Sequence, residues 1–218
     1  MKFDDKTVAV LKNFTTINTS LVFRPGNKIA TISPSKTIVA TADIDESIDD
    51  MFAIYDLSKF LGTLSLFENP ELVVHEDYME IKKGKRKIDY YFTEPSFVTQ
   101  PPENSNFDLN TDVQFSIEET QLHELVKALS VLMLSEISVI GDGSTISLCA
   151  TDEKSSDKYS IEVGETDKNF KMVFKAENLK LMPGSYEVVI DKRGISNWKG
   201  SGVEYYITVE QDLSSFED

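Results

Sequence analysis

The chain has 218 residues, 40% of them hydrophobic, and its 37 acidic and 22 basic side chains give a formal net charge of −15 at pH 7. That length suits one or two domains with a real core, and no run approaches the ~18–20 apolar residues of a membrane span. So acidic a chain is excluded as a general binder of nucleic acid, whose phosphates need cations, unless its positive charges are gathered on one surface. The acids of Met1-Lys-Phe-Asp-Asp5 occupy the place where a signal peptide needs apolar residues, so no export is expected. The single cysteine, Cys149, lies in an apolar strand and reads as a buried, inert thiol in a reducing cytoplasm.

The first segment, Asp4 to about Ile17, reads as a helix. Phe3, Val10, Leu11, Phe14 and Ile17 share one face at ~100° per residue, and Lys2, Lys6, Ala9, Asn13 and Thr16 lie opposite, with Lys12 at the edge. Residues 21–32 then read as a hairpin turning at Pro25-Gly-Asn27, and Thr37 to Ala42 as a further strand. A second helix covers roughly Asp56 to Leu66, with a core stripe of Leu57, Phe60, Leu61 and Leu64 and with Lys59 turned away. Two strands joined through the basic run Lys82-Lys-Gly-Lys-Arg-Lys87 close this half. Residues 95–112, rich in Pro, Asn and Ser and without periodicity, read as a linker between an N-terminal domain, 1–94, and a C-terminal domain, 113–218. Phe97 and Phe107 place that linker on the protein surface.

The third helix is signalled by a capping-box spacing at Ser116-Ile-Glu-Glu119. Its buried stripe is Leu122, Leu125, Val126, Leu129 and Met133, with His123, Lys127 and Ser130 on the other side. Strands follow around the turn Gly141-Asp-Gly143, then at Tyr159–Val163 and Phe170–Phe174. A short fourth helix from about Ala176 stops at Pro183-Gly184 before the last strands. The order repeats. Leu72 to Thr93, a strand–turn–strand unit after a short amphipathic segment, returns about 115 residues later as Tyr186 to Val209, with Tyr90-Tyr-Phe92 opposite Tyr205-Tyr-Ile207. The fold class expected is α+β: two similar domains, each with two helices packed on antiparallel sheet.

Catalytic signatures are absent. No nucleophile elbow, phosphate-binding loop, dinucleotide fingerprint, H-E-x-x-H or C-x-x-C occurs, and His75 and His123 stand far apart without cysteine companions. The acids Asp43, Asp45, Glu46, Asp49 and Asp50 lack the glycine and spacing of a calcium loop and read as a solvated face. No enzyme, metal or cofactor is expected. The positive charges carry more information. Every expected helix sets lysine away from its apolar stripe, as Lys2, Lys6 and Lys12, then Lys59, then Lys127, then Lys175 or Lys180. Lys83, Lys85 and Arg86 stand in the densest basic patch. With no aromatic side chains between these cations, contacts would go to backbone phosphates and would not read sequence.

Thr7 to Asn18 and Ala53 to Leu66 closely resemble the first two helices of the sliding clamps of T-even-type bacteriophages, and Leu181 to Val188 resembles that family's turn after its last helix. The likeness runs end to end in the same element order. It implies a clamp fold and a homotrimer whose three two-domain subunits close head to tail into a ring around double-stranded DNA. It further implies that the ring tethers the phage DNA polymerase, is opened by an ATP-dependent clamp loader, and serves late transcription factors, all in the host cytoplasm. Candidate DNA-facing residues are Lys2, Lys6, Lys12, Lys59, Lys127, Lys180, Lys83, Lys85 and Arg86; candidate partner-binding residues are Phe97, Val98, Phe107, Leu181, Met182 and Pro183. Subunits would meet sheet edge to sheet edge, which also removes exposed edges. The alternative is a ring-forming virion or assembly protein that never touches DNA.

Overall fold

A computed structural model describes residues 1–102 and 107–217. The chain divides into two compact units, Met1–Ser105 and Asn106–Asp218; part of the expected linker, 103–106, lies outside the described residues.

Unit 1 opens with helix α1 (Asp5–Ile17). The Asp4 side chain accepts from the Thr7 N–H at 2.6 Å, which satisfies one of the orphan donors of the first turn. The helix buries Thr7, Val10, Leu11, Phe14 and Ile17, the stripe dictated by its 3.6-residue period. Strands β1 (Leu21–Phe23), β2 (Gly26–Ile32), β3 (Ile38–Ile48) and β4 (Phe52–Ile54) follow. The expected hairpin between β1 and β2 does not form: β1 pairs antiparallel with β4, and β2 with β3. All three side chains of β1 are buried, so it cannot serve as a half-exposed hairpin arm, and Gly26, at φ 116°, turns the chain out into β2 instead. Helix α2 (Leu57–Leu64) is capped by Asp56, which accepts from the Lys59 N–H at 2.8 Å. It ends two residues earlier than expected, leaving Leu66 exposed. Strands β5 (Glu71–Val74), β6 (Tyr78–Lys83) and β7 (Arg86–Tyr91) form an antiparallel meander in that order. Met1 lies against β5 as one residue of a further strand: its ammonium donates to the Leu72 carbonyl at 2.7 Å, and the Leu72 N–H donates back at 2.8 Å.

Unit 2 repeats this plan with a true strand where unit 1 has Met1. Strand β8 (Val113–Ile117) precedes helix α3 (Glu119–Leu132). Then come β9 (Glu136–Asp142), β10 (Thr145–Thr151), β11 (Tyr159–Glu165), β12 (Asn169–Lys175), β13 (Tyr186–Asp191), β14 (Ile195–Lys199), β15 (Val203–Thr208) and the two-residue β16 (Ser215–Phe216). One sheet runs β11-β10-β9-β12-β16; in the other, β15, β14, β13 and β8 are successive antiparallel neighbours. Trp198 is fully buried, its indole N–H donating to Ser196 and its ring edge-on to Phe115 and Phe174.

Three expectations for this unit need correction. The box that caps α3 joins Glu118 to Gln121, not Ser116 to Glu119; Ser116 is committed to β8, and its hydroxyl donates to Glu187. The buried stripe of α3 is Leu122, Leu125 and Leu129, whereas Val126 is 46% and Met133 87% exposed. Met133 is the left-handed residue (φ 53°) that ends the helix, so it no longer follows the helical period. The fourth helix is a single 3-10 turn, Ala176–Asn178. Only a few residues separate the end of β12 from Pro183, too few to offset the cost of helix nucleation, and proline disfavours a helical residue before it. Leu179 leaves the helical region at ψ 65°, and no helix resumes before Pro183.

The C-terminal part of the expected linker is pinned to unit 2 by Asp191. Its carboxylate is inaccessible to solvent and accepts from the Asn110 N–H, the Arg193 N–H and the Arg193 guanidinium, which also donates to the Asp108 carbonyl. The Arg193 contact, aided by those backbone donors, holds the Asp191 carboxyl well below the usual carboxylate range. The native state therefore binds fewer protons there than the unfolded chain. This contribution to stability is complete above about pH 4 and is lost progressively as the pH falls toward the native value. Asp191→Asn should cost unit 2 about 2 kcal/mol in urea denaturation followed by circular dichroism, flatten its stability profile below about pH 4, and hasten proteolysis at 107–112. An unchanged midpoint and acid profile would contradict this assignment.

Candidate nucleic-acid interface and docking groove

In unit 1 the buried stripe of α1 turns Lys6 and Lys12 to solvent, with Lys2 just upstream; all three are exposed. Lys6 meets Asp45 at 3.6 Å, with both side chains well exposed, so the pair is weak and leaves the lysine available. Glu46, from the acidic stretch, has a structural role. Its carboxylate accepts from the Asp4 N–H and the Thr7 hydroxyl, both at 2.6 Å, and so ties the start of α1 to β3. Asp43 faces Lys28 at 3.8 Å. Among the described residues no group of His, Cys, Asp and Glu is arranged to hold a metal ion. On α2, Lys59 is exposed one turn after the cap.

The β6–β7 hairpin turns through Gly84 at φ 60°. Its register sets Glu80 opposite Asp89 and Lys82 opposite Lys87, all on one face. Glu80 therefore binds Lys82 at 2.9 Å and Lys87 at 3.3 Å, and these cations lower its carboxyl pKa. Arg86 lies over the Phe67 ring at 5.4 Å. Lys83 and Lys85, at the exposed tip, make no ion pair among the described residues. The basic run is thus half neutralised, and the cations left for an outside phosphate are Lys83, Lys85 and Arg86.

In unit 2, Lys127 is exposed on α3 among Glu119, His123 and Glu124, which are exposed as well. Lys180, half-buried beyond the 3-10 turn, donates its backbone N–H to Asn178. The helix faces of both units carry few cations interspersed with acids, a charge pattern suited to brief phosphate contacts and not to tight binding.

The six candidate docking residues fall in separate places. Leu181, Met182 and Pro183 come together, with Leu179, along the Glu119, Leu122, His123 and Val126 side of α3, and bound a groove of about 400 Å³. Two tyrosines fix that wall: the Met182 N–H donates to the Tyr205 hydroxyl at 3.1 Å, and the Tyr186 hydroxyl donates to the Met182 carbonyl at 2.6 Å. Burial pushes the Tyr205 phenol up to about 12 and that of Tyr186 higher still, so neither titrates near neutrality. Val126, counted as core from its helical spacing, is exposed on the groove wall, beside the segment where a fourth helix was expected and a single 3-10 turn is found. Phe97 is 70% exposed at the end of a 3-10 turn, Pro95–Phe97. Val98 is a core residue packed with Val22 and Ala53, which removes it as a docking contact. Phe107 leans on the Tyr206 ring at 4.7 Å.

No helix among the described residues is long and apolar enough to cross a membrane. Residues 2–94 match the family model described as DNA polymerase processivity factor, and residues 114–211 the model for the C-terminal part of the gp45 sliding clamp. The sliding clamp of Vibrio phage KVP40 is 36% identical over 219 residues, covering 96% of this chain and 99% of that protein. The sliding clamp of Enterobacteria phage T4 is 29% identical over 97% of this chain and 98% of its own length. Among solved structures, PCNA from Thermococcus kodakaraensis superposes with a TM-score of 0.73 at 15% identity, covering 96% of this chain and 99% of that one. The β subunit of DNA polymerase III from Pseudomonas aeruginosa gives 0.63 at 13% identity, over 92% of this chain and 62% of its own. With both units matched by clamp models and the whole chain aligned to phage clamps, this protein belongs to the bacteriophage sliding-clamp family of DNA polymerase processivity factors.

Proposed function

We propose that three copies of this chain close head to tail into a ring that encircles double-stranded DNA, holds the phage DNA polymerase at the primer end, and does no chemistry itself. The observation that carries this reading is the combination of two clamp units with a strongly acidic chain that keeps a few exposed lysines, Lys6, Lys12, Lys59 and Lys127, on its helices. Three copies at −15 each carry −45 in formal charge. Borne on the outside of a ring, that charge repels DNA and discourages side-on binding. Sparse lysines on the inner helices give duplex phosphates a weakly attractive lining, and since they contact only the backbone, no sequence is read. Retention then comes from topology: a closed ring cannot leave the duplex however weak its contacts. A polymerase attached to such a ring gains a high effective concentration at its substrate. A closed ring also needs an opener, which supports an ATP-dependent loader as partner. The same tether would serve late transcription factors.

Partner proteins would dock by short apolar segments. The groove between α3 and Leu181–Pro183 and the exposed Phe97 are the surfaces that suit such anchors.

Light scattering should give three times the chain mass. Loaded on nicked circular DNA, the protein should stay bound and then run off once the circle is cut. Binding that ignores the cut, or a stable monomer at micromolar concentration, would overturn the ring. Replacing Lys6, Lys59 and Lys127 together by Glu should reduce loading about tenfold or more and leave the trimer intact; undiminished loading would show that these lysines do not face DNA. Val126→Asp should weaken polymerase capture if the α3 groove is a docking site, with trimer mass and DNA retention as controls; unchanged capture would assign docking elsewhere.

A further inference from the structure

A lysine is available to a phosphate only if no carboxylate has closed on it first. Among the described residues neither Lys59 nor Lys127 makes an ion pair, although each has an acid three residues before it, Asp56 and Glu124. Lys12 has no acid within four residues on either side. An acid at i and a lysine at i+3 are neighbours on a helix surface and ordinarily attract each other. Both acids are held elsewhere, and in each case a tyrosine of the sheet reaches the acidic residue. On α2 the Asp56 carboxylate caps the helix, accepting from the Lys59 N–H at 2.8 Å, while its carbonyl accepts from the Tyr90 hydroxyl of β7 at 3.1 Å. Glu124 lies in the middle of α3, where it has no cap to serve. Its carboxylate accepts from the Tyr159 hydroxyl of β11 at 3.0 Å.

Resting on the reading of Lys127 as a DNA contact, we infer that Tyr159 is a positioning residue: by holding the Glu124 carboxylate toward β11 it keeps the Lys127 amine free to meet duplex phosphate. Tyr159 is half-buried, so its ring is already fixed and little freedom is lost when its hydroxyl donates. Burial and the Glu124 carboxylate push its phenol up, so it keeps its proton and its donor role at neutral pH. A hydrogen bond from a fixed phenol to a carboxylate outweighs an exposed ion pair between two long side chains, both of which would have to be ordered to make it. Glu124 thus leaves its charge on the helix, where it tempers the attraction for DNA, without closing on the lysine.

Tyr159→Phe in the full-length protein removes the hydroxyl and keeps the ring. Two readouts follow it: the rate at which trace acetic anhydride acylates Lys127, measured by mass spectrometry against Lys12 in the same chain, and loading on nicked circular DNA. Freed from the phenol, Glu124 should pair with Lys127, slow its acylation about twofold and lower loading by a similar factor or more. In the E124Q background the same change should alter neither quantity, since no carboxylate is left to close on the amine. Light scattering of every variant ensures that loading is compared between assemblies of equal mass. Unchanged Lys127 acylation in Y159F overturns the inference. So does an equal loss in the E124Q background, which would trace the effect to β11 itself. Slowed acylation with unchanged loading upholds the hold of Tyr159 on Glu124 and refutes, separately, the reading of Lys127 as a DNA contact.

Discussion

The buried apolar stripes of the helices are the constraint from which the rest follows. Val10, Leu11 and Phe14 on α1 and Leu122, Leu125 and Leu129 on α3 must leave water, and no rotation of either helix buries them without turning Lys6, Lys12 and Lys127 outward. The position of the cations is thus set by the core and not by attraction to a ligand. A small number of charges suffices for a protein that is held on its substrate by enclosure, and the interspersed Asp5, Glu119 and Glu124 keep the contact weak. The hairpin follows the same rule, since Glu80 engages Lys82 and Lys87 and only the tip stays free.

The duplication is imperfect in two places, and both have local physical causes. Where unit 2 begins with β8, unit 1 has Met1 alone beside β5, hydrogen-bonded in both directions as a strand residue would be. Where unit 1 has α2, unit 2 has one 3-10 turn. A helix as short as α2 survives because Asp56 caps it and Phe60 and Leu64 anchor it; the counterpart in unit 2 has Asn178 in the same stretch and Pro183 just beyond. The side of α3 toward Leu179–Pro183 is left partly bare and forms one wall of the groove.

Much of this was legible in the sequence. Most of the stripes of α1 and α2 and the basic hairpin follow directly from residue spacing, and the likeness to phage clamps supplied the fold class. The strands that close each half read as two and are three, β5, β6 and β7 and then β13, β14 and β15, and Leu61 is not in the buried stripe of α2. What was not legible depended on partners distant in sequence. Nothing near Leu21 says that it pairs with Ile54 and not with β2. Val126 has core spacing on α3, yet it is exposed on the wall of the groove that Leu179 to Pro183 bound. Val98 sits in a proline-rich stretch that looks like surface, yet fills a gap beside Val22 and Ala53. The pairing of Glu80 with two lysines could have been read from the turn at Gly84, because that turn fixes which side chains share a face.

Trp198 is the only tryptophan in the chain, and it is enclosed by Phe115 and Phe174 in unit 2. Emission excited on the red edge of the absorption band, where tyrosine is silent, therefore originates in that unit alone. Unit 1, whose core is built from phenylalanine, has no such signal of its own. Only one half of the molecule carries this optical label, and the order in which the two halves melt can be resolved in the unaltered protein by comparing that emission with a probe of the whole backbone.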